Sequence, residues 1–444
     1  MSLQKTTPEG FRALWPSHLS GIVKIALVFI AVLGIVECTE KKVKTAEDFV
    51  SVSPDGQFML HGEPYRYIGA NYWYGALLGA PNKGDRARLE ADLDSLKSQG
   101  LTNLRILVGA EGGDVHRTSH VEPSLQTSPG IYDADMLAGL DFLLAELEKR
   151  DMRAVLYLTN SWEWSGGYGQ YLEWAGKGPA PIPAEIGYQA YCDSATRFFD
   201  TPEALAMYAD HVGKIVGRTN SITGEPYSES TAIMSWQICN EPRPFSERNK
   251  KAMAAWLTST SDLIRSLDPN HLISTGSEGK YGCQADIDEW VDIHSYKNID
   301  YATIHIWPAN WGWVTDSTLI SDMPLAKMLT DEYVREHAKA LADAKVVKPL
   351  VLEEFGYPRD GREFSPDSPA TARAEYYSHV FDIFREADSP LAGVNFWGWT
   401  NTALPPHTVW MPGDPYTADP AQEPQGLYSV FPGEMDFRSI TADR

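Results

Sequence analysis

The sequence has few cysteines and few basic residues for its length. Its 444 residues include 4 cysteines, and none is spaced as CxxC or grouped with histidines as a structural metal site requires. Lys and Arg total 38 against 60 Asp and Glu, which gives a formal net charge of −22. Because like charges repel, nucleic-acid phosphates and anionic lipid surfaces are disfavoured as partners. The composition therefore offers no cysteine-held metal and no surface for nucleic acid.

Aromatic and apolar residues, in contrast, are plentiful. Hydrophobic residues make up 43% and charged residues 22%, the proportions of a globular protein with a sizeable core. The 14 Trp and 21 Tyr supply flat apolar faces with hydrogen-bonding edges. Such faces suit an uncharged polymer, and sugars fit that description.

The first 48 residues are predicted to be an export leader followed by a short tether. The apolar run Ile25–Val36 follows Lys24 and has the length of a signal-peptide core, whereas a membrane span needs about 20 apolar residues. Cys38 stands where a bacterial lipoprotein signal places its lipidated cysteine, but Glu37 before it is not small. Lipid attachment and plain cleavage both stay open, and a buried amphipathic helix is disfavoured by the Lys-rich stretch that follows. We expect a secreted, periplasmic or cell-surface protein, attached to a membrane only if Cys38 carries a lipid.

Three cysteines remain after such a leader is removed: Cys192, Cys239 and Cys283. An odd number cannot all pair. We expect buried free thiols, with one disulfide and one free thiol as the alternative.

The hydrophobic pattern predicts one α/β domain over residues 49–444. An Asp-Gly turn in FVSVSPDGQFML predicts an N-terminal β-hairpin that caps a barrel end. Short apolar runs then alternate with amphipathic helical stretches, which indicates parallel strands with helical crossovers. The eight strand candidates are YRYIGANYW, LTNLRILV, MRAVLYLT, TAIMSWQIC, HLISTG, YATIHIW, KPLVLEEF and LAGVNFWGW. This is the number that a (β/α)8 TIM barrel needs, and its βα loops are long, with one irregular loop predicted over 404–426.

Two strand candidates end in carboxylates. SWQICNEPRP places Glu241 after the fourth strand, and LVLEEFGYP places Glu354 at the end of the seventh. Working residues of such barrels lie at the carboxyl ends of strands, and a retaining glycosidase needs two carboxyl groups about 5–5.5 Å apart. We assign Glu241 as general acid/base, with its pKa raised by burial and a neighbouring carboxylate, and Glu354 as the nucleophile. Either motif alone is more often a turn or a plain strand end; together they favour a catalytic pair.

Two further polar residues are placed to support this pair. Arg105, in NLRIL, is expected to keep Glu354 ionised, although a structural ion pair is the alternative. Asn240 is expected to donate a hydrogen bond to the substrate 2-hydroxyl.

At these motifs the sequence resembles glycoside hydrolase family 5, and within it the β-mannanases of subfamily 7. The likeness runs from about Phe49 to the C-terminus and is carried by NSWEWSGGYGQYLEWAG, NSITGEPYSESTAIMSWQICNEPRP, STGSEGKYG, TIHIWPANW, LVLEEFG and VNFWGW. The resemblance implies a retaining endo-β-1,4-mannanase that acts on β-mannan polysaccharides and mannooligosaccharides. Acid/base and covalent catalysis by carboxylates needs neither a metal nor an organic cofactor, so we expect none, and we expect a monomer. The resemblance also implies that Arg105, Asn240, Glu241, His305, Glu354 and Trp397 occupy the family's active-site positions.

The sequence departs from the family at two positions. Trp307 stands where many members have a Tyr that bonds the nucleophile, and its indole N–H is a substitute donor. Gln237 stands where Glu is frequent, which we expect to affect barrel packing rather than chemistry.

Other candidates rest on position. A lone His and most Trp are usually core residues, so a core position is the alternative for His305 and Trp397; the resemblance favours His305 bonding the acid/base or sugar, and the end of the final strand favours Trp397 as the floor of the site. Glu278 is expected to reach a substrate hydroxyl, and Asn160 to support the site. The loop tryptophans are less easily explained by burial and are candidates for stacking on sugars. They are Trp73, Trp162, Trp164, Trp311 and Trp313.

Three alternatives stay open. The same barrel could act as an exo-β-mannosidase or as a β-glucanase, and a loop that closes one end of the cleft would favour exo action. A noncatalytic glycan-binding lipoprotein is the alternative of another class, disfavoured because both carboxylates are present.

Overall fold

The computed structural model describes residues 44–113 and 119–442. The described residues from Thr45 onward form one compact unit. The predicted leader, its apolar run and Cys38 lie outside the described residues. Within the described ranges, no helix is long and apolar enough to span a membrane.

Eight parallel strands form the central sheet. In chain order they are β1 (Tyr67–Asn71), β2 (Asn103–Leu107), β3 (Arg153–Tyr157), β4 (Ile233–Gln237), β5 (Leu272–Ser274), β6 (Ala302–Ile306), β7 (Leu350–Phe355) and β8 (Leu391–Phe396). The sheet order is β5-β4-β3-β2-β1-β8-β7-β6. Its two end strands are joined by single backbone bonds, from Asp300 N to Ile273 O at 2.8 Å and from His305 N to Glu278 O at 3.2 Å. Each predicted strand segment contains one of these strands, so the TIM barrel is confirmed.

Helices follow the strands around the barrel. The α-helices are α1 (Gly75–Gly79), α2 (Arg86–Ser98), α3 (Ala134–Lys149), α4 (Gly167–Trp174), α5 (Pro183–Ile186), α6 (Tyr188–Ala195), α7 (Pro202–Val216), α8 (Lys250–Leu267), α9 (Ile287–Ser295), α10 (Met323–Asp343), α11 (Thr371–Arg385) and α12 (Phe437–Ala442). Short 3-10 turns occupy Ala46–Asp48, Glu163–Ser165, Thr196–Asp200, Tyr227–Glu229, Glu247–Asn249, Lys280–Cys283 and Asp360–Arg362. Aspartates cap α2 and α3 by accepting backbone N–H bonds, which explains where these two helices begin.

The N-terminal hairpin is present and covers the amino ends of the barrel strands. Ser51–Val52 pairs with Phe58–Leu60, and a third strand, Glu63–Pro64, extends the sheet. Phe58 packs in a small core with Tyr67 and Tyr301, which start or precede barrel strands. The functional face is therefore left to the opposite end of the barrel.

The segment after β8 forms a long irregular loop, as predicted. Between β8 and α12 it contains one isolated bridge, Trp399 with Val430. Elsewhere in the described chain, Cys192, Cys239 and Cys283 are buried free thiols, which confirms the preferred interpretation. A shorter antiparallel pair, Gln126–Ser128 with Ile131–Tyr132, lies in the loop after β2.

Candidate active site

A cavity of about 540 Å³ opens at the carboxyl ends of the barrel strands, and both predicted carboxylates line it. Its walls come from the loops after β3 to β8. The lining side chains include Trp162, Glu163, Trp164, Tyr188, Asn240, Glu241, Arg243, Glu278, Trp307, Asn310, Trp311, Glu354, Trp397, Gln422, Glu423 and Tyr428.

The backbone beyond β4 holds Glu241 between two neighbouring loops. Asn240 N donates to Thr159 O at 2.7 Å, and Glu241 N donates to Gly276 O at 3.0 Å. Glu241 adopts a left-handed backbone with φ 49°, uncommon for a residue with a side chain. Gly276 makes the close approach possible, because a Cβ there would lie 1.9 Å from Cys239 O. The strand end thus presents Glu241 to the cavity.

Glu354 is held from two sides. Arg105 Nη1 forms a buried ion pair with Glu354 Oε1, and Trp307 Nε1 donates to Glu354 Oε2 at 3.1 Å. Gly356 lets the Trp307 ring approach, since a Cβ there would lie 2.4 Å from that ring. The glycine of the EEFG motif therefore serves the position of the indole beside the carboxylate.

His305 lies between the two carboxylates. Its Nδ1 is 2.9 Å from Glu241 Oε1 and 3.4 Å from Glu354 Oε2. One oxygen of each glutamate and one ring nitrogen all lie within 4.8 Å of one another. The two carboxylates that sequence reasoning assigned to separate strands thus face each other across one small space.

The charges of this trio shape its titration. Burial tends to raise the pKa of Glu241, but the hydrogen bond and charge of His305 outweigh it and hold the pKa at about 2. Burial raises the pKa of Glu354 against the opposing charges of His305 and Arg105. Burial lowers the pKa of His305, yet the surrounding carboxylates raise it to about 9. The prediction that Glu241 has a raised pKa is therefore wrong for the free site, because it left out the proton on His305.

Arg105 connects the pair to the barrel interior. Its Nη2 donates to Asn240 Oδ1 at 2.7 Å, its Nη1 to Asn71 Oδ1 at 3.1 Å and its Nε to Gln237 Oε1 at 2.8 Å. Gln237 in turn donates to Glu353 Oε2 at 2.7 Å. Gln237 is therefore part of the polar network beneath the site, not only of barrel packing as its sequence position suggested.

Sequence reasoning did not name Asn71 or Glu353 as site residues. Asn71 ends β1 as a polar residue after an apolar run, the same signal that singled out the carboxylates. Glu353 immediately precedes Glu354 and points to Tyr301 and Gln237. Asn160 lies below the site, where its Oδ1 accepts from Asn240 Nδ2 at 3.1 Å. It orients Asn240 and does not line the cavity.

The tryptophans divide into two groups. Trp162 donates from Nε1 to Glu241 Oε2 at 2.7 Å, and it lines the cavity with Trp164, Trp307, Trp311 and Trp397. Trp397 is 5% exposed and meets Trp307 edge-on at 5.7 Å, at the end of β8.

Two loop tryptophans do not fit the prediction. Trp73 is 2% exposed, donates to Ala418 O at 2.9 Å and packs edge-on against Trp164 and Tyr416. Trp73 and Trp164 are both buried, so the prediction that burial does not account for the loop tryptophans is wrong for these two. Trp73 and Trp313 are also absent from the cavity wall.

Glu278 faces an arginine that the sequence did not reveal. Arg243, two residues after Glu241, forms an ion pair with Glu278, and both line the cavity. Burial and the charge of Glu241 raise the pKa of Glu278 to about 7, while Arg243 opposes this. Glu163, Tyr188, Asn310, Glu423 and Tyr428 also line the cavity but carried no sequence signal beyond loop position.

Among the described residues, only Glu241, His305 and Glu354 are grouped closely enough to offer three metal ligands. Here His305 Nδ1 faces both carboxylates, and Arg105 and Trp307 already occupy Glu354. A cation at this point would have to displace the His305 proton.

A family model decides the wider assignment. The model of the family described as GH family 5 beta-mannosidase-like matches residues 47–442. The chain belongs to glycoside hydrolase family 5. It is therefore a glycoside hydrolase, and the family resemblance drawn from the sequence motifs is confirmed.

Individual family 5 relatives agree along most of the chain. Mannan endo-1,4-beta-mannosidase 1 from Solanum lycopersicum is 30% identical over 364 residues, 79% of this chain and 83% of that protein. The putative mannan endo-1,4-beta-mannosidase 9 from Oryza sativa subsp. japonica is 29% identical over 354 residues, 77% and 79% of the two chains.

Solved family 5 structures are also similar. The crystal structure of a glycoside hydrolase family 5 mannosidase from Rhizomucor miehei superimposes with TM-score 0.82 and 32% identity, covering 90% of this chain and 98% of that one. A mutant of that mannosidase has been solved in complex with mannosyl-fructose.

Proposed function

We propose that this family 5 protein is a retaining endo-β-1,4-mannanase with Glu241 as general acid/base and Glu354 as nucleophile. The observation that carries the proposal is the carboxylate spacing, with one oxygen of each within 4.8 Å. Retaining glycosidases hold their carboxyl groups about 5–5.5 Å apart, whereas inverting enzymes leave about 6.5–9.5 Å for a water. The short separation favours direct attack by a carboxylate.

The surroundings support Glu354 as the attacking group. The Arg105 guanidinium and the Trp307 indole N–H together bond both of its oxygens, which favours the ionised form and fixes its direction. In the first step a Glu354 oxygen bonds the anomeric carbon as the glycosidic C–O bond breaks. Arg105 then remains to stabilise the carboxylate when it is released.

Glu241 is the more exposed carboxyl of the pair, at 8% against 3% for Glu354. His305 Nδ1, which lies 2.9 Å from Glu241 Oε1, can pass a proton to it. When a sugar displaces water from the cavity, the charged pair of His305 and Glu241 loses its solvation. Transfer of the proton from His305 to Glu241 then leaves two neutral groups, which cost less to bury than two charges. Glu241 then protonates the departing oxygen, and in the second step it takes a proton from the water that cleaves the ester to Glu354.

Family relatives support mannan as the substrate. The curated relatives from tomato and rice are named mannan endo-1,4-beta-mannosidases. The aromatic cavity wall of Trp162, Trp311 and Trp397 suits uncharged sugar rings. Mannan, glucomannan and galactomannan and their oligosaccharides are the proposed substrates, within subfamily 7.

A second candidate is action at chain ends. The Rhizomucor miehei structure that superimposes with TM-score 0.82 over 90% of this chain is named a mannosidase and not an endo-acting enzyme, and this name favours action at chain ends. The products of mannohexaose separate the two: endo action releases a mixture of oligosaccharides at early times, whereas exo action releases one size of product from the end.

Reducing-sugar release from β-mannan tests the catalytic proposal. Wild-type protein is expected to release sugar steadily, and Glu354→Ala to lose turnover by at least about a thousandfold because the covalent step is removed. Thermal unfolding of the variant is the control for folding. Binding of mannan without turnover by the wild-type protein would favour the noncatalytic glycan-binding alternative.

The N-terminal segment and the oligomeric state concern where the enzyme acts and in what form. We propose that residues 1–48 direct export, that Cys38 is the point of any lipid attachment, and that the enzyme acts as a monomer. Mass spectrometry of the mature N-terminus distinguishes a lipidated cysteine from plain cleavage.

A further inference from the structure

Three carboxyl groups of the catalytic cavity take no part in the mechanism above, and two of them, Glu163 and Glu423, also lack an arginine partner within the described chain. Glu163 lies in the loop after β3, directly beside the Trp162 that bonds Glu241. Glu423 lies in the long loop after β8. Both line the same cavity as the catalytic pair, so a substrate held there meets them.

These two carboxyl groups differ from the other three of the cavity because no other described residue donates a hydrogen bond to them, although the Glu163 backbone N–H bonds its own carboxyl. Glu241 accepts from His305, while Glu354 and Glu278 each pair with an arginine. Over residues 44–113 and 119–442, no N–H or O–H of another residue bonds the carboxyl of Glu163 or Glu423. Partly buried polar groups without partners are costly, so their hydrogen bonds are left for whatever fills the cavity.

The surroundings of Glu163 and Glu423 favour the protonated form of each carboxyl group. Burial raises the pKa of Glu163 to about 7. Burial, Asp419 and Glu163 raise the pKa of Glu423 to about 7, while Arg362 opposes the shift. Near pH 7 the two side chains therefore offer acceptor oxygens and an O–H donor at once.

The remaining neighbours add no competing charge. Tyr191 lies near Glu163 and Tyr428 near Glu423, and burial raises the pKa of each phenol well above its ordinary value, so both stay neutral. Gln422, beside Glu423, adds a buried amide oxygen that has no partner in the described chain. Within the described residues, this part of the wall therefore presents two carboxyl groups and one amide oxygen to which no other residue donates a hydrogen bond.

We propose that Glu163 and Glu423 together form a hydroxyl-binding subsite that holds one sugar ring of the substrate between the loops after β3 and β8. This inference rests on the proposed function, since it concerns the same cavity. Sugar hydroxyls both donate and accept, which matches carboxyl groups of mixed protonation. A subsite of this kind selects rings whose hydroxyls are unsubstituted, because a capped hydroxyl leaves the carboxyl unpaired.

Direct binding tests the subsite. Mannotriose is titrated by calorimetry into protein carrying Glu241→Gln, which prevents turnover. Adding Glu163→Ala or Glu423→Ala is expected to raise Kd about tenfold or more, because a sugar hydroxyl then loses its hydrogen-bonding partner inside the cavity. Glu185→Ala, a change at an exposed glutamate of α5 that does not line the cavity, is the matched control and should leave Kd unchanged.

Kinetics of the otherwise wild-type enzyme separates binding from a structural role. In Glu163→Gln/Glu423→Gln, KM should lose the dependence on pH between 6 and 8 that we expect of the wild type, with kcat within about threefold of the wild-type value. Unchanged Kd in both alanine variants, or a fall in kcat alone, would overturn the subsite. Failure of the wild type to hydrolyse mannan would instead overturn the proposed function, because the calorimetric Kd does not depend on turnover.

Discussion

At the scale of single residues, the site depends on how one proton is shared by three groups. Glu241, Glu354 and His305 lie within 4.8 Å, and titrating groups this close behave as a unit. His305, with its pKa raised to about 9, holds the proton that the acid needs. The titration of the trio therefore determines the pH range of activity.

The pH dependence of kcat/KM follows from this trio. His305 loses its proton as pH rises through about 9, so activity is expected below that pH and lost above it. On the acid side, activity falls as Glu354 is protonated, at a pH above the ordinary value for glutamate. In His305→Gln the alkaline limb should move to lower pH by at least about one unit. An unchanged alkaline limb in this variant would place the proton elsewhere.

Trp307 tests the support of the nucleophile. Trp307→Phe removes the N–H that bonds Glu354 Oε2 but keeps a ring against Tyr428. Because hydrogen bonds to charged groups contribute about 1.5–3 kcal/mol, kcat/KM should fall about 10- to 100-fold. Trp311→Phe, whose indole donates to neither catalytic carboxylate, is the control. Equal losses in both variants would mean that aromatic packing, not the N–H donor, matters.

Sequence reasoning reached the principal carboxylates because each lies at or just beyond the end of an apolar run. Glu354 lies near the end of β7, and Asn240 and Glu241 follow β4, where the barrel gathers side chains on one face. Arg105, in contrast, is the middle residue of β2, and its long side chain reaches the site from there. The bonds of Arg105 to Asn71 and Gln237 could not be predicted in the same way. They join residues 34 and 132 positions apart and depend on the register of neighbouring strands.

At the scale of elements, the strands were easier to predict than the loops. Strand segments bear a local signal of apolar and β-branched residues, and each of the eight contains a barrel strand. Loop side chains bear none: Trp162 reaches Glu241, whereas Trp73 turns into the core. The extra strand Glu63–Pro64 was missed because two residues with a proline give no strand pattern.

The N-terminal sheet is expected to serve stability and not catalysis. Phe58 packs against Tyr67 and Tyr301 at the end of the barrel opposite the cavity. Phe58→Ala should lower the free energy of unfolding by about 3–5 kcal/mol and leave KM unchanged. Thermal unfolding and kinetics at a permissive temperature check both parts. Glu63→Ala, an exposed change in the same sheet, is the control, and a raised KM for Phe58→Ala would contradict this division.

At the scale of the whole molecule, the strong negative charge concerns solubility and partner choice more than substrate capture. The net charge of −22 repels anions but exerts no steering force on an uncharged polysaccharide. KM for galactomannan should therefore change less than about twofold between low salt and about 0.5 M NaCl, where screening is nearly complete. A steep dependence on salt would indicate a charged substrate.

The barrel as a whole brings Glu241 and Glu354, 113 positions apart in sequence, to one small space. This arrangement permits a covalent bond between Glu354 and the anomeric carbon of the sugar. A 2-deoxy-2-fluoro-β-mannosyl fluoride, which slows release of the glycosyl-enzyme, is incubated with the wild-type protein, and the labelled peptide is identified by mass spectrometry. The account predicts a single mannosyl label on Glu354. A label on another residue, or cleavage with inversion at the anomeric carbon and no label, would contradict it.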